Sequence, residues 1–123
     1  MPAPHLGSIL LGTSNPERLQ AWYNAALAPE QDEFGWMNFG GIKVLIDGRS
    51  DIAEKNPEPG RTILNFHVGD ARATAAHLNE LGVSWLVEVE ERENGLFGTL
   101  IDPDGNYVQI IELSQGYLAT QQK

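Results

Sequence analysis

A chain of 123 residues with 41% hydrophobic residues and no low-complexity tract suits one domain with a real core, and excludes a disordered or fibrous protein. Its formal net charge of −9 opposes binding to a nucleic-acid backbone, and the lack of cysteine removes disulfides, thiolate metal sites and cysteine nucleophiles. No run approaches the roughly 18 apolar residues of a membrane span, and the start Met1-Pro2-Ala3-Pro4 has neither a basic patch nor an apolar signal core. A soluble, cytoplasmic protein with no nucleic-acid or membrane partner is expected.

In chain order, Ser8 to Thr13 reads as a short apolar strand. Asn15-Pro16-Glu17 then supplies an N-cap, a proline at the first helical position and an acidic first turn. Leu19, Trp22, Tyr23, Ala26 and Leu27 recur at helical spacing as a buried stripe, and Pro29 stops the helix. A short segment near Gln31 to Glu33 follows, then strands over Gly35 to Phe39 and Ile42 to Asp47 joined by Gly40-Gly41. Gly48 to Arg61, rich in charge, Pro and Gly, reads as a connecting loop.

The order then repeats. Thr62 to Val68 is a predicted strand, and Asp70 caps a helix with Ala71, Thr74, Ala75, Leu78 and Leu81 on its apolar face and Gly82 at its end. Strands near Trp85 to Glu90, Leu96 to Ile101 and Tyr107 to Leu113 complete the half. A shift of 55 positions lays Asn15 on Asp70 and Leu11 on Phe66, so the chain is a duplicated βαβββ module. Module one runs over about residues 6–48, the linker over 49–60, module two over 61–113, and a loosely held tail over 114–123.

Asp102-Pro103-Asp104-Gly105 specifies a type I turn, because proline presets φ and the Asp side chain caps the backbone. This turn, the strands around it and the repeated module resemble the vicinal-oxygen-chelate superfamily, which includes glyoxalase I, fosfomycin-resistance proteins, extradiol dioxygenases and bleomycin-resistance proteins. The resemblance spans about Leu6 to Leu113. It implies an α+β fold in which tandem modules form a cup-shaped mixed sheet with helices on the outer face, and a homodimer. Strand parity then places Ser8, Leu10, Gly12, Ile63, Asn65, His67, Tyr107, Gln109 and Ile111 toward the cup, with Trp36, Asn38, Lys43, Leu45, Phe97 and Thr99 beside them.

The resemblance also locates the family's metal ligands, which fall here on Ser8, Ile63 and Gln109, with Leu45 or its neighbour at the remaining position. Isoleucine and leucine offer no lone pair, and neutral oxygens anchor Zn²⁺ or Mn²⁺ poorly, so a chain without metal or other cofactor is expected. Parity turns Glu112 to the opposite face from Gln109. Phe97, Tyr107, Trp36 and Trp85 could form aromatic walls for a ligand, and Asn38, Asn65, Thr99 and Gln109 could orient it through hydrogen bonds. Asn65 and Gln109 could instead bond each other. Lys43 either pairs with Asp47 or holds an anionic ligand group, and the acidic run Glu88, Glu90, Glu91 and Glu93 is a solvated edge or an attraction for a cationic compound.

The expected function is metal-independent binding of an aromatic or hydrophobic metabolite or antibiotic. The alternatives are a lyase, isomerase or dioxygenase-related enzyme acting through His67 or a nonstandard metal site, and an interaction module whose cup is filled by side chains.

Overall fold

A computed structural model describes residues 1–121 and divides the chain into two compact units, Met1–Glu54 and the residues from Lys55 onward. In the first unit, strand β1 (Ser8–Thr13), helix α1 (Pro16–Leu27) and strands β2 (Glu30–Gln31), β3 (Met37–Phe39) and β4 (Ile42–Gly48) follow one another. Their sheet order is β1-β4-β3-β2, parallel between β1 and β4 and antiparallel elsewhere. The second unit repeats this with β5 (Leu64–His67), α2 (Ala71–Glu80), β6 (Ser84–Arg92), β7 (Gly95–Ile101) and β8 (Tyr107–Leu113), in order β5-β8-β7-β6. β5 and β8 are the parallel pair.

Both helices begin at the predicted caps. The Asn15 side chain accepts from Arg18 N at 3.2 Å, and Asp70 accepts from Ala73 N at 3.0 Å, each satisfying a backbone donor that the first turn leaves open. Leu19, Tyr23 and Ala26 are buried in the first unit together with Met37 and Val44, and Trp22 packs edge-on to Tyr23 at 4.8 Å. Ala71 and Leu78 of α2, with Leu100, Val108 and Ile110, form the second unit's core. Leu81 departs from the expected stripe and is exposed, because it is the C-cap, and Gly82 at φ +75° turns the chain away.

The predicted turn is present in full. Asp102 Oδ1 accepts from Asp104 N at 2.9 Å and Asn106 N at 3.0 Å, Oδ2 accepts from Asn106 Nδ2 at 2.9 Å, and Gly105 N donates to Asp102 O at 2.9 Å. The same hydrogen-bond pattern recurs at Asp32, where Oδ1 accepts from Phe34 N and Trp36 N at 2.9 and 3.0 Å and Gly35 N donates to Asp32 O at 3.1 Å. That second turn consumes residues 32–36, so β3 begins at Met37 instead of Gly35.

Two further elements differ from expectation. β5 begins at Leu64, because Arg61 is folded back onto Glu58 by backbone and side-chain bonds. The tail from residue 114 carries helix α3 (Gln115–Gln121), whose start is held by Tyr117 N donating to Ser114 Oγ and by Ser114 N donating to Asn94 O. Residues 122 and 123, also assigned to that tail, lie outside the described residues. Among the described residues, no helix is long and apolar enough to cross a membrane.

Candidate functional site

In the second unit the strand registers bring the predicted residues into rows. One row crosses four strands as Asn65, Gln109, Thr99 and Val87, and the next as His67, Ile111, Phe97 and Glu90. These side chains occupy the face turned away from α2. Glu112, of opposite parity, shows which face is which: its Oε1 accepts from Ala71 N, at the start of α2, at 2.8 Å. Tyr107, at the start of β8, shares the α2-distal parity and lies beside Gly60.

The α2-distal face mixes neutral hydrogen-bonding groups with apolar ones. Gln109 Nε2 reaches Thr99 Oγ1 at 3.5 Å, a long contact at the limit of a hydrogen bond, so Gln109 turns to its other neighbour and not to Asn65, the partner offered as the alternative to a ligand. Asn65 and His67 are exposed, Phe97 and Gln109 are half-buried, and Thr99 and Ile111 are buried. Both strands flanking β8 pair with it without a register shift, which preserves the parity of every residue from Tyr107 to Leu113.

In the first unit, Ser8, Lys43 and Asn38 share one row and Leu10 and Leu45 the next, on the face opposite buried Met37 and Val44. Trp36 stands just outside β3, in the Asp32 turn, and is half-buried. Lys43 pairs with Asp32 at 3.6 Å and not with Asp47, which is held by Arg49 at 3.0 Å. The Asp32 turn brings its carboxylate to Lys43 of β4, whereas Arg49 lies across Gly12, where a Cβ would meet its Cδ at 2.9 Å, and there takes both Asp47 and Asp51. The fork raises the Arg49 pKa and lowers that of Asp51, chiefly through their shared hydrogen bond.

β6 is where sequence parity fails. Trp85 pairs with Leu100 and Val87 with Thr99, so two successive odd-numbered residues face opposite sides, and a second shift separates Val87 from Glu90. These bulges put Trp85 and Val89 on the α2 side. There Trp85 Nε1 donates to Asn79 Oδ1 at 2.7 Å, and the two residues line a groove of about 250 Å³ with Arg72, Ala75, Ala76, Glu88 and Val89. Trp85 therefore lies off the face on which the predicted residues stand, while Val87, not singled out in the sequence, and Glu90, foreseen only as part of the acidic run, lie on it. Gly98 was the available signal, since a Cβ there would stand 2.7 Å from Val89 Cγ2, so the bulged strand fits only against a glycine.

The donor set does not fit a divalent transition metal. Ile63 has no ligand atom, Gln109 turns its amide nitrogen toward Thr99, and the carboxylate of Glu112 is engaged by α2. Among the described residues, no three His, Asp or Glu side chains converge.

Tandem βαβββ units with an Asp-Pro-Asp-Gly turn before the last strand define a protein of the vicinal-oxygen-chelate class. The chain belongs to the glyoxalase-like domain family, whose family model matches residues 8–111. Its α+β fold is that of glyoxalase and bleomycin-resistance-like proteins. An integron cassette protein from the mobile metagenome of Vibrio cholerae is 21% identical, with 93% of this chain and 98% of that one covered at a TM-score of 0.70. TnmS3, an antibiotic-binding protein from Streptomyces sp. CB03234, is 22% identical over 93% and 99% of the two chains at 0.67. FosX, a fosfomycin-resistance protein from Listeria monocytogenes, is 13% identical over 94% and 98% at 0.74. No curated protein matches the chain.

Proposed function

We propose that the protein binds an aromatic or hydrophobic small molecule, a metabolite or an antibiotic, on the α2-distal face of its second unit, without a metal and as a homodimer. The observation that carries this reading is the row Asn65–Gln109–Thr99 beside Phe97 and Ile111. Amides and a hydroxyl fix orientation by donating and accepting, and burial against an aromatic ring and an isoleucine supplies affinity. Sequestration requires only affinity, so replacement of metal ligands by Ser8, Ile63 and Gln109 is compatible with it. The antibiotic-binding relative with this fold supports the choice of ligand class. Trp36, Asn38 and Lys43, in the first unit, are further candidates for ligand contact.

The experiment is intact mass of gently purified protein under native and then denaturing conditions. A dimer that releases an organic compound and no metal is the expected result, and a stoichiometric metal ion would refute the metal-free reading. One observation favours an enzymatic alternative: His67 stands two residues from Asn65 on the same strand face, within a face that also holds Gln109. Replacement of His67 by alanine should then abolish turnover and spare binding; equal loss of both would exclude His67 as acid or base.

A further inference from the structure

The row His67–Ile111–Phe97–Glu90 ends where the Arg92 guanidinium is held between a ring and a carboxylate. The Arg92 guanidinium carbon lies 5.7 Å from the centroid of the Phe97 ring. Its Nε and Nη2 donate to the same Glu90 oxygen at 3.0 and 2.9 Å. An aromatic face beside a carboxylate is the environment that an organic cation requires, the ring quadrupole and the anion acting together. The occupant here is the protein's own side chain.

Three features make that occupant replaceable. The Arg92 and Glu90 side chains are 48% and 52% exposed, so their contact competes with water throughout. The residue opposite Arg92 in register is Gly95, which has no side chain to hold the guanidinium in place. Arg92 is also the one basic residue between Ser84 and Leu113, a stretch that carries Glu88, Glu90, Glu91 and Glu93 in a chain of net charge −9. If Arg92 swings out, what remains at the end of the row is a ring and the uncompensated Glu90 carboxylate, within a stretch of excess negative charge that draws a cation and repels an anion.

We propose that Phe97 and Glu90 form a cation-recognising subsite, that Arg92 fills it in the free protein, and that the ligand carries an amidinium, guanidinium or ammonium group that displaces Arg92. The proposal rests on the small-molecule reading above and narrows its ligand class to cation-bearing aromatic compounds. Its distinctive consequence is that removing a protein contact strengthens binding.

The probes are 4′,6-diamidino-2-phenylindole and its uncharged parent 2-phenylindole, titrated by fluorescence into wild type, Arg92→Ala and Arg92→Gln. Both variants should bind the diamidine about fivefold tighter, the scale of one exposed cation–π contact and ion pair. Binding of 2-phenylindole should stay within about twofold. The double variants R92A/E90Q and R92A/F97L should lose the gain, and Arg72→Ala, which changes net charge equally on α2, should produce none. Unchanged or weaker diamidine binding in both Arg92 variants, or a gain that survives in both double variants, would overturn the subsite while leaving 2-phenylindole binding as support for the ligand face. Failure of both compounds to bind any variant would overturn the ligand face itself, and the subsite with it.

Discussion

The two turns built on Asp32 and Asp102 offer a comparison in which the chemistry is constant and the surroundings change. Each carboxylate accepts from two backbone N–H groups, but Asp102 and Asp104 are only 3% and 4% exposed, whereas the Asp32 turn lies at the surface. Asp102→Ala strands two backbone donors and the amide of Asn106. A buried group left without its partner costs about 1–3 kcal/mol, so the substitution should destabilise by about 3–4 kcal/mol. The loop before β5 also leans on this turn, through Asn56 N on Asp104 O at 2.8 Å and Asn56 Nδ2 on Asn106 Oδ1 at 2.9 Å. In Asp32→Ala the freed donors bond to water, and the cost should be about 0.5–1 kcal/mol. With an unfolding entropy of about 2.1 cal/mol/K per residue over this chain, the first change lowers Tm by about 12–15 °C and the second by about 2–4 °C. Urea unfolding with an unchanged m-value is the assay. Equal losses for the two variants would refute the reasoning, because burial and not turn geometry would then be irrelevant to the cost.

Four other outcomes follow from the same structure. Gly95→Ala should destabilise by about 3 kcal/mol or more in urea unfolding, since φ is +148° and a Cβ would stand 2.1 Å from Glu112 O, while Gly116→Ala, with open space around it, should be neutral or slightly stabilising. Glu112→Ala should cost about 1–2 kcal/mol of stability through the lost bond to Ala71 N, yet leave ligand affinity unchanged, because that carboxylate serves α2 on the other face of the sheet. The Asp51 carboxyl, followed by NMR, should titrate below an ordinary aspartate and return toward the ordinary value in Arg49→Gln. With the folded pKa depressed, this pair's stabilisation is present above the unfolded pKa and is lost as pH falls through the folded one. Gln109→Ala should weaken ligand binding by about tenfold with little change in unfolding, because its side-chain contact to Thr99 is long and weak.

What the sequence disclosed was mostly local. Asn15, Asp70 and the Asp102 turn act within a few residues of themselves, so their bonds could be foreseen, and the even spacing along β8 carried Gln109 and Ile111 to one face and Glu112 to the other. The turn at Asp32 was just as local but lacked the proline that marks its counterpart; the shared signal is an Asp followed three residues later by a glycine at positive φ, Gly35 and Gly105. Non-local choices were hidden. Trp85, Val87 and Val89 alternate faultlessly in sequence, yet two bulges send Val87 to one face and the others to the other, and only the bare backbone at Gly98 records where β6 needs space. Lys43 had carboxylates on two sides, and the preference for Asp32 over Asp47 depends on Arg49 crossing Gly12 from the following loop. The Ser114 cap of α3 sits in an apolar-poor stretch whose periodicity is too short to announce a helix.

The most direct test of the ligand face is a fragment screen of chelator-treated protein read by backbone amide and side-chain chemical shifts. Shifts that converge on Asn65, His67, Phe97, Thr99 and Gln109, and that persist without metal, are the predicted result. Binding that requires added metal, or shifts that converge instead on the groove between α2 and β6 around Trp85, would contradict it.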